Sequence, residues 1–258
     1  MNTTGRSPGQ ALANIPGFAD ARIEARLSDG PTNASYQLEL SGRRYVLRID
    51  KPEAAGLGLD RVNEKLIAEA ASTAGLSPAP LYFEPAEGLY LREFQEGRNW
   101  TPSDLENPEN MTRLARLLRT LHSLEPVGAV FDPLAAARRY AAQLDTAQAR
   151  LILDRAEKQV KKLAAGSPRP ALCHNDLVCQ NVLEGERLML IDWEYAGIGD
   201  PFFDLAVLVQ HHGLDEPLAR CLLENYLERT VNSGEFERLS QQCGFYQCLL
   251  QLWNLRTV

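Results

Sequence analysis

A short polar segment and the apolar run that follows it constrain this chain most. The segment is His174–Asn181, and the run Leu188–Ile191 leads directly to Asp192. A leucine follows Asp176 and an asparagine, Asn181, lies five residues beyond it, which is the spacing of the catalytic loop in the protein-kinase template. Phosphoryl transfer needs a carboxylate that orients the attacking hydroxyl, together with an amide and a second carboxylate that hold Mg²⁺. The order Asp176, Asn181, Asp192 therefore predicts a phosphotransferase site.

The three polar residues receive separate roles. Asp176 is the predicted catalytic residue, since its carboxylate can hold the acceptor hydroxyl in line with the γ-phosphate. Asn181 and Asp192 are the predicted Mg²⁺ ligands, because Mg²⁺ is a hard cation that prefers oxygen. His174 is expected to brace the loop by hydrogen bonds. The cofactors implied are ATP and Mg²⁺.

Composition disfavours nucleic acid and membranes as partners. The 258 residues carry a net charge of −7 and a sequence pI near 5.3, so a small cation is a better partner than a polyanion. Residues 1–10 lack the apolar core of a signal peptide, and no uncharged apolar run approaches the ~20 residues that span a bilayer. The five cysteines form no Cys-x-x-Cys pair and are expected to be reduced. We expect a cytoplasmic protein without membrane insertion. The sequence does not determine its oligomeric state.

Alternating apolar residues predict an antiparallel sheet in the first part of the chain. The alternation covers 36–40 and 45–49, and Ser41 and Gly42 between them supply a turn, which predicts a hairpin. Two further strands are expected over 81–83 and 89–94.

One helix is predicted within this part. Asp60 is its expected N-cap and Gly75 its end. Its expected apolar side consists of Val62, Leu66, Ile67 and Ala70.

The rest of the chain has the spacing of helices. Asn107 followed by Pro108 starts the first of them. Asp200 before Pro201 predicts another N-cap, and Asp204, one turn later, could bond back to the catalytic loop. The remaining predicted helices cover 133–143, 147–164, 202–212, 215–229 and 235–253.

Candidate phosphate contacts lie in the first part of the chain. The polar segment 28–35 has small side chains, so its backbone N–H groups could approach phosphates, with Ser28 and Asn33 as candidates. Arg48 could reach the α- and β-phosphates, and Glu64 on the predicted helix could hold it by an ion pair.

Adenine and acceptor contacts are less specific. Adenine is expected to bond to backbone at Glu93 and Phe94. The candidate acceptor contacts are Trp193, Glu194, Tyr195 and Trp253.

These residues resemble the choline/ethanolamine kinase and aminoglycoside phosphotransferase superfamily. The resemblance lies in the segments His174–Asn181 and Ile191–Gly197, in Tyr45–Ile49 and in the helix that carries Glu64. It implies the α+β, protein-kinase-like two-lobe fold, with an antiparallel sheet and one helix in the N-lobe and a mainly helical C-lobe. It also implies ATP, Mg²⁺ and a small alcohol as phosphoryl acceptor.

The resemblance divides the chain by function. Residues 1–94 are expected to form the nucleotide-binding lobe, and residues 95–258 the catalytic and acceptor-binding lobe.

Several acceptors remain open. Choline or ethanolamine is favoured, because aromatic side chains beside a carboxylate suit an ammonium group. Thiamine, also a cation with a primary hydroxyl, is the alternative, followed by an aminoglycoside or a sugar. A catalytically silent kinase-like binding module is a different class, but such proteins usually lose a metal ligand or the catalytic Asp, and this chain keeps all three.

Overall fold

The computed structural model describes residues 6–163 and 168–256. The chain divides into two compact units, with the boundary between Gly97 and Arg98; the boundary expected from sequence follows residue 94. Antiparallel strands dominate the first unit and helices the second. The predicted α+β class is therefore confirmed.

A single antiparallel sheet organises the first unit. Its strands are β1 Arg22–Asp29, β2 Asn33–Leu40, β3 Arg43–Asp50, β4 Pro80–Glu84 and β5 Leu89–Glu93. They pair in the order β1-β2-β3-β5-β4, so the predicted hairpin is β2–β3. The short helix α1, Pro8–Leu12, packs with the inward leucines of the sheet, Leu38, Leu47, Leu89 and Leu91.

The predicted phosphate-binding loop over 28–35 is wrong in extent. Ser28 belongs to β1 and Asn33 begins β2, which leaves only residues 30–32 between the strands. Strand β1 was not predicted, although Ile23, Ala25 and Leu27 alternate with polar residues along it. All of its residues are exposed, so this alternation does not mark a buried face here.

Helix α2, Arg61–Thr73, has the predicted N-cap but a different buried face. Asp60 accepts from the second and third backbone N–H groups of the helix. Val62 and Leu66, expected inside, are 68% and 46% exposed. The helix instead turns Glu64 inward, and the residues three, four and seven positions later share its face, as the 3.6-residue period requires. These residues are Ile67, Ala68 and Ala71.

Helices form most of the second unit. They are α3 Pro108–Ser123, α4 Pro133–Leu144, α5 Ala147–Leu163, α6 Pro201–His211, α7 Glu216–Leu227 and α8 Ser233–Arg256. The predicted caps Asn107 and Asp200 are both present. Ala164, the expected last residue of α5, lies outside the described residues. No helix in the described ranges combines the length and the apolarity needed to cross a membrane.

Short strands hold the segments between these helices. β6 Arg98–Asn99, β8 Val182–Glu184 and β9 Leu188–Leu190 form one sheet, and β7 Ala171–Cys173 pairs with β10 Gly197–Gly199. Of these, β7 and the apolar run at β9 were expected from sequence. The segment from β7 to β8 contains the candidate catalytic loop.

Candidate active site

The loop after β7 brings Asp176 and Asn181 into contact. The Asn181 side-chain amide donates to the Asp176 carbonyl at 2.8 Å and to its carboxylate at 3.2 Å. With this assignment of the amide, the side-chain oxygen of Asn181 is the atom left to serve as a metal ligand. A 3-10 turn, Cys179–Asn181, places Asn181 at the end of the loop.

Backbone hydrogen bonds hold Asp192 beside this loop. The N–H of Ile191 donates to the Asn181 carbonyl at 3.0 Å, and the Ile191 carbonyl lies 3.0 Å from His174 Nε2. The expected bracing role of His174 is confirmed by this contact. Asp192 has a φ of +67°, a left-handed conformation that non-glycine residues seldom adopt and that concentrates at functional sites.

The carboxylates of Asp176 and Asp192 interact electrostatically. Burial raises the pKa of Asp176 to about 6, and the charge of Asp192 acts in the same direction against the opposing effect of His174. Two carboxylates and an amide oxygen are a hard, all-oxygen donor set with excess negative charge. Such a set fits Mg²⁺, which takes oxygen ligands and offsets carboxylate repulsion.

Asp204 on α6 anchors the start of the loop, as the sequence predicted. Its fully buried carboxylate accepts from the backbone N–H of His174 at 2.9 Å and from that of Asn175 at 2.7 Å. His122 Nε2 lies 3.0 Å from the same group. Burial opposes ionisation of Asp204, but the hydrogen bond and charge of His122 lower its pKa. An ionised acceptor thus fixes two backbone groups next to Asp176.

Asn175 is a site residue that sequence reasoning missed. Its φ is +62°, and its side-chain amide donates to the Tyr195 carbonyl at 3.0 Å. Asparagine tolerates left-handed backbone better than most residues, so its identity was the available signal. The bond ties the catalytic loop to the segment after Asp192.

The predicted ion pair of Arg48 and Glu64 is confirmed within the first unit. Arg48 Nη1 and Nη2 lie 2.5 and 2.9 Å from the two Glu64 carboxylate oxygens. Arg61 donates to Glu64 and to Asp50. Burial favours the neutral acid at Glu64, yet Arg48 and Arg61 lower its pKa, whereas burial raises the pKa of Asp50. An ionised Glu64 therefore fixes the Arg48 guanidinium.

The two candidate phosphate contacts at the start of the sheet differ in environment. Ser28 is exposed on β1. Asn33 is buried, and its amide donates to the hydroxyl of Thr32 at 2.9 Å. In the pairing of β2 with β3, Asn33 lies opposite Asp50.

The candidate adenine contacts lie at the end of β5. The side chain of Glu93 forms an ion pair with that of Arg43. The Arg44 guanidinium lies over the Phe94 ring, with 4.7 Å between Arg44 Cζ and the ring centroid. The backbone N–H of Phe94 donates to the Arg44 carbonyl.

Two of the four candidate acceptor contacts are buried. Trp193 is 2% exposed, and its ring centroid lies 4.7 Å from that of His174. Glu194 is 9% exposed. Trp193 thus packs behind the catalytic loop, which limits its direct contact with a ligand.

The other two, Tyr195 and Trp253, belong to an aromatic cluster that includes Tyr140 on α4. Ring centroids of Tyr140 and Tyr195 lie 5.5 and 6.4 Å from Trp253. Burial raises the pKa of Tyr195, and the nearby Tyr140, Glu194 and Asp176 raise it further. The cluster is therefore within electrostatic reach of Asp176. Sequence reasoning missed Tyr140, because its contact with Trp253 is between distant helices.

A cation already lies on this aromatic cluster. Arg256 Cζ is 4.8 Å from the Tyr140 ring centroid and 5.4 Å from that of Trp253. These distances are those of cation–π contacts.

Comparison of the sequence with known families and proteins gives consistent matches. The profile described as the phosphotransferase enzyme family matches residues 24–239. Protein LicA from Haemophilus influenzae is 32% identical over 248 residues, which cover 88% of this chain and 89% of that protein. Thiamine kinase from Escherichia coli O157:H7 is 30% identical over 191 residues, 70% of this chain and 64% of that protein.

Solved structures share the fold. A choline/ethanolamine kinase family protein from Mesorhizobium loti superposes with a TM-score of 0.80 at 27% identity, covering 96% of this chain and 84% of that one. Choline kinase LicA from Streptococcus pneumoniae gives a TM-score of 0.77 at 22% identity over 92% of this chain and 84% of that one. The expected kinase-like fold is therefore confirmed.

Proposed function

The chain belongs to the phosphotransferase enzyme family and is a small-molecule phosphotransferase, and we propose that it transfers the γ-phosphate of ATP to the hydroxyl of choline or ethanolamine. The observation that carries the choice of acceptor is the guanidinium of Arg256 over Tyr140 and Trp253. Rings that hold a guanidinium also suit the ammonium group of an amino alcohol, which would take the place of Arg256 on them.

The charge around this surface also favours a cationic acceptor. Glu194 and Asp176 add negative charge near Tyr195, which favours a cation over a neutral sugar.

Asp176 orients the acceptor hydroxyl. Its carboxylate receives one hydrogen bond from Asn181, so lone pairs remain for the hydroxyl proton. The carboxylate holds that proton while the hydroxyl oxygen attacks the γ-phosphorus and the bond from phosphorus to the β,γ-bridging oxygen breaks, giving ADP and the phosphomonoester.

Asn181 and Asp192 are the proposed Mg²⁺ ligands. When bound, Mg²⁺ supplies positive charge that offsets the charge of the phosphates. The chain's own contribution is to hold both oxygen ligands by backbone contacts, through the bond from Ile191 to Asn181 and the bracing of Ile191 by His174.

The nucleotide contacts are proposed in the first unit. Arg48, fixed by Glu64, would contact the phosphates. The other proposed contacts are Ser28, Asn33, Glu93 and Phe94. We assign nucleotide binding to residues 1–94 and acceptor binding to residues 95–258, in the cytoplasm, where ATP is available.

The experiment is ADP release measured with a panel of alcohols. We expect Mg²⁺-dependent turnover with choline or ethanolamine, and Asp176→Asn should lower kcat by about 10²- to 10⁴-fold. Asp154→Asn, at an exposed position of α5, is the matched control and should behave as wild type.

The other outcomes separate the alternatives. Turnover with thiamine alone would favour the activity named for the Escherichia coli relative, and turnover with an aminoglycoside or sugar alone would reject a cationic amino alcohol. The absence of ADP release with every alcohol on the panel would indicate a silent binding module.

A further inference from the structure

The turn that carries Asn181 is capped from outside its own sequence. Cys179 is the first residue of this 3-10 turn, and an N-terminal backbone N–H of a helix needs an external acceptor. The preceding residue, Val178, has no side-chain oxygen with which to cap. The N–H of Cys179 instead donates to His212 Nε2 at 3.0 Å.

The end of α6 fixes the position of this imidazole. His212 is the C-cap residue, and its own N–H donates to the Leu208 carbonyl. Gly213 follows with a φ of +63°, and the N–H of Leu214 returns to the Val209 carbonyl at 2.9 Å. This is the arrangement of a Schellman motif, which stops the helix with defined geometry.

The contact also fixes the protonation of the ring. A backbone N–H can only donate, so His212 Nε2 must be unprotonated and its proton must lie on Nδ1. A proton on Nε2 would set two donors against each other at 3.0 Å.

Helix α6 therefore holds the catalytic loop at two places. Asp204 in its first turn accepts from His174 and Asn175, and His212 at its end accepts from Cys179. The first contact fixes the residues before Asp176, and the second fixes the turn that ends at Asn181.

We propose that His212 is a positioning residue for phosphoryl transfer, in which its Nε2 caps the Cys179–Asn181 turn and so places the Asn181 oxygen for Mg²⁺. The proposal rests on the proposed function for its metal, but the capping contact is a property of the chain alone.

The direct test is the tautomer of His212, read by ¹H–¹⁵N NMR of the full ¹⁵N-labelled chain near neutral pH and assigned by the signal that His212→Gln removes. A proton on Nδ1 with Nε2 unprotonated is the expected result. A proton on Nε2 overturns the proposal.

The functional test compares ATP affinity with Mg²⁺ and with a chelator, by calorimetry. His212→Leu removes the acceptor and should reduce the Mg²⁺-dependent gain in affinity by about three- to tenfold. His212→Gln restores an acceptor near the Nε2 position and should stay within about twofold of wild type.

The matched control is His211→Leu on the same helix end. His211 Nδ1 contacts the Tyr246 hydroxyl at 3.0 Å rather than the loop, so its Mg²⁺-dependent gain should equal that of wild type. The positioning role is overturned if the Mg²⁺-dependent gain in ATP affinity is unchanged in His212→Leu. It is also overturned if His212→Gln loses as much of that gain as His212→Leu does. If His212→Leu does not fold, the tautomer and the His212→Gln affinity decide. If the wild type shows no Mg²⁺-dependent gain in ATP affinity, the proposed function is rejected. The tautomer of His212 would then still show whether its Nε2 accepts from the Cys179 N–H.

Discussion

Replacement of Asp204 by asparagine should destabilise the second unit although the side chain keeps its shape. Asp204 accepts three hydrogen bonds, at 2.7 Å from the Asn175 N–H on one oxygen, and at 2.9 and 3.0 Å from the His174 N–H and His122 on the other. An amide offers only one acceptor oxygen. Its best orientation keeps the bonds to His174 and His122 and turns its own N–H groups towards Asn175.

The magnitude follows from that orientation. One buried backbone N–H loses its acceptor, which costs about 1–3 kcal/mol, and the two surviving bonds lose the strength that a charged acceptor gives. We expect Asp204→Asn to lower the free energy of unfolding of the second unit by about 2–4 kcal/mol.

Tryptophan fluorescence in a urea titration measures this unit selectively. All three tryptophans, Trp100, Trp193 and Trp253, lie after residue 97, and Trp193 contacts the loop residue His174. Asp215→Asn is the matched control, because Asp215 caps α7 at an exposed position and asparagine caps equally well. If Asp204→Asn unfolds within about 0.5 kcal/mol of wild type, the anchoring argument is refuted.

Three further predictions address the metal, the acceptor and pH. Asp192→Ala should abolish turnover and the Mg²⁺-dependent part of ATP binding, measured by calorimetry; a fully active variant contradicts its assignment as a ligand. Trp253→Leu should raise KM for choline by about thirtyfold with a smaller change in kcat, since a desolvated cation–π contact is worth about 2 kcal/mol; an unchanged KM would remove the aromatic cluster from the acceptor site. Burial and the nearby His211 lower the pKa of His212 to about 4, so the folded chain resists the proton that an unfolded histidine takes up near 6.5. The unfolded state therefore binds the additional proton between about pH 6.5 and about pH 4, and the free energy of unfolding falls as pH is lowered through this range. His212→Gln should reduce this pH dependence of the unfolding free energy; a pH dependence equal to that of wild type would contradict the lowered pKa of His212.

Local signals in the sequence predicted much of the fold. Asp60, Asn107 and Asp200 each cap a helix as expected, because capping depends on residues that are adjacent in sequence. Strand β1 was not predicted although Ile23, Ala25 and Leu27 alternate with polar residues along it. Pairing to β2 holds this strand while all of its residues stay exposed, and alternation alone does not show whether an apolar face is buried. Val62 and Leu66 were predicted to be buried because they are hydrophobic. The helix instead buries Glu64, which pairs with Arg48, and hydrophobicity alone does not predict that.

The same division applies to the candidate site. Spacing within one loop identified Asp176 and Asn181, and the strand end identified Asp192. The positions of Tyr140 and His212 depend on contacts between α4 and α8 and between α6 and the loop. A contact between distant segments leaves no periodic signal in either segment, so these residues required the structure.

The most direct measurement of the central claim is ³¹P NMR of one reaction that contains the chain, ATP, Mg²⁺ and choline or ethanolamine. We expect the γ-phosphate signal to be replaced by equal amounts of ADP and of the phosphomonoester of the alcohol, with both products lost in Asp176→Asn. ADP accompanied by inorganic phosphate alone, or a phosphomonoester formed equally well by Asp176→Asn, would contradict the account.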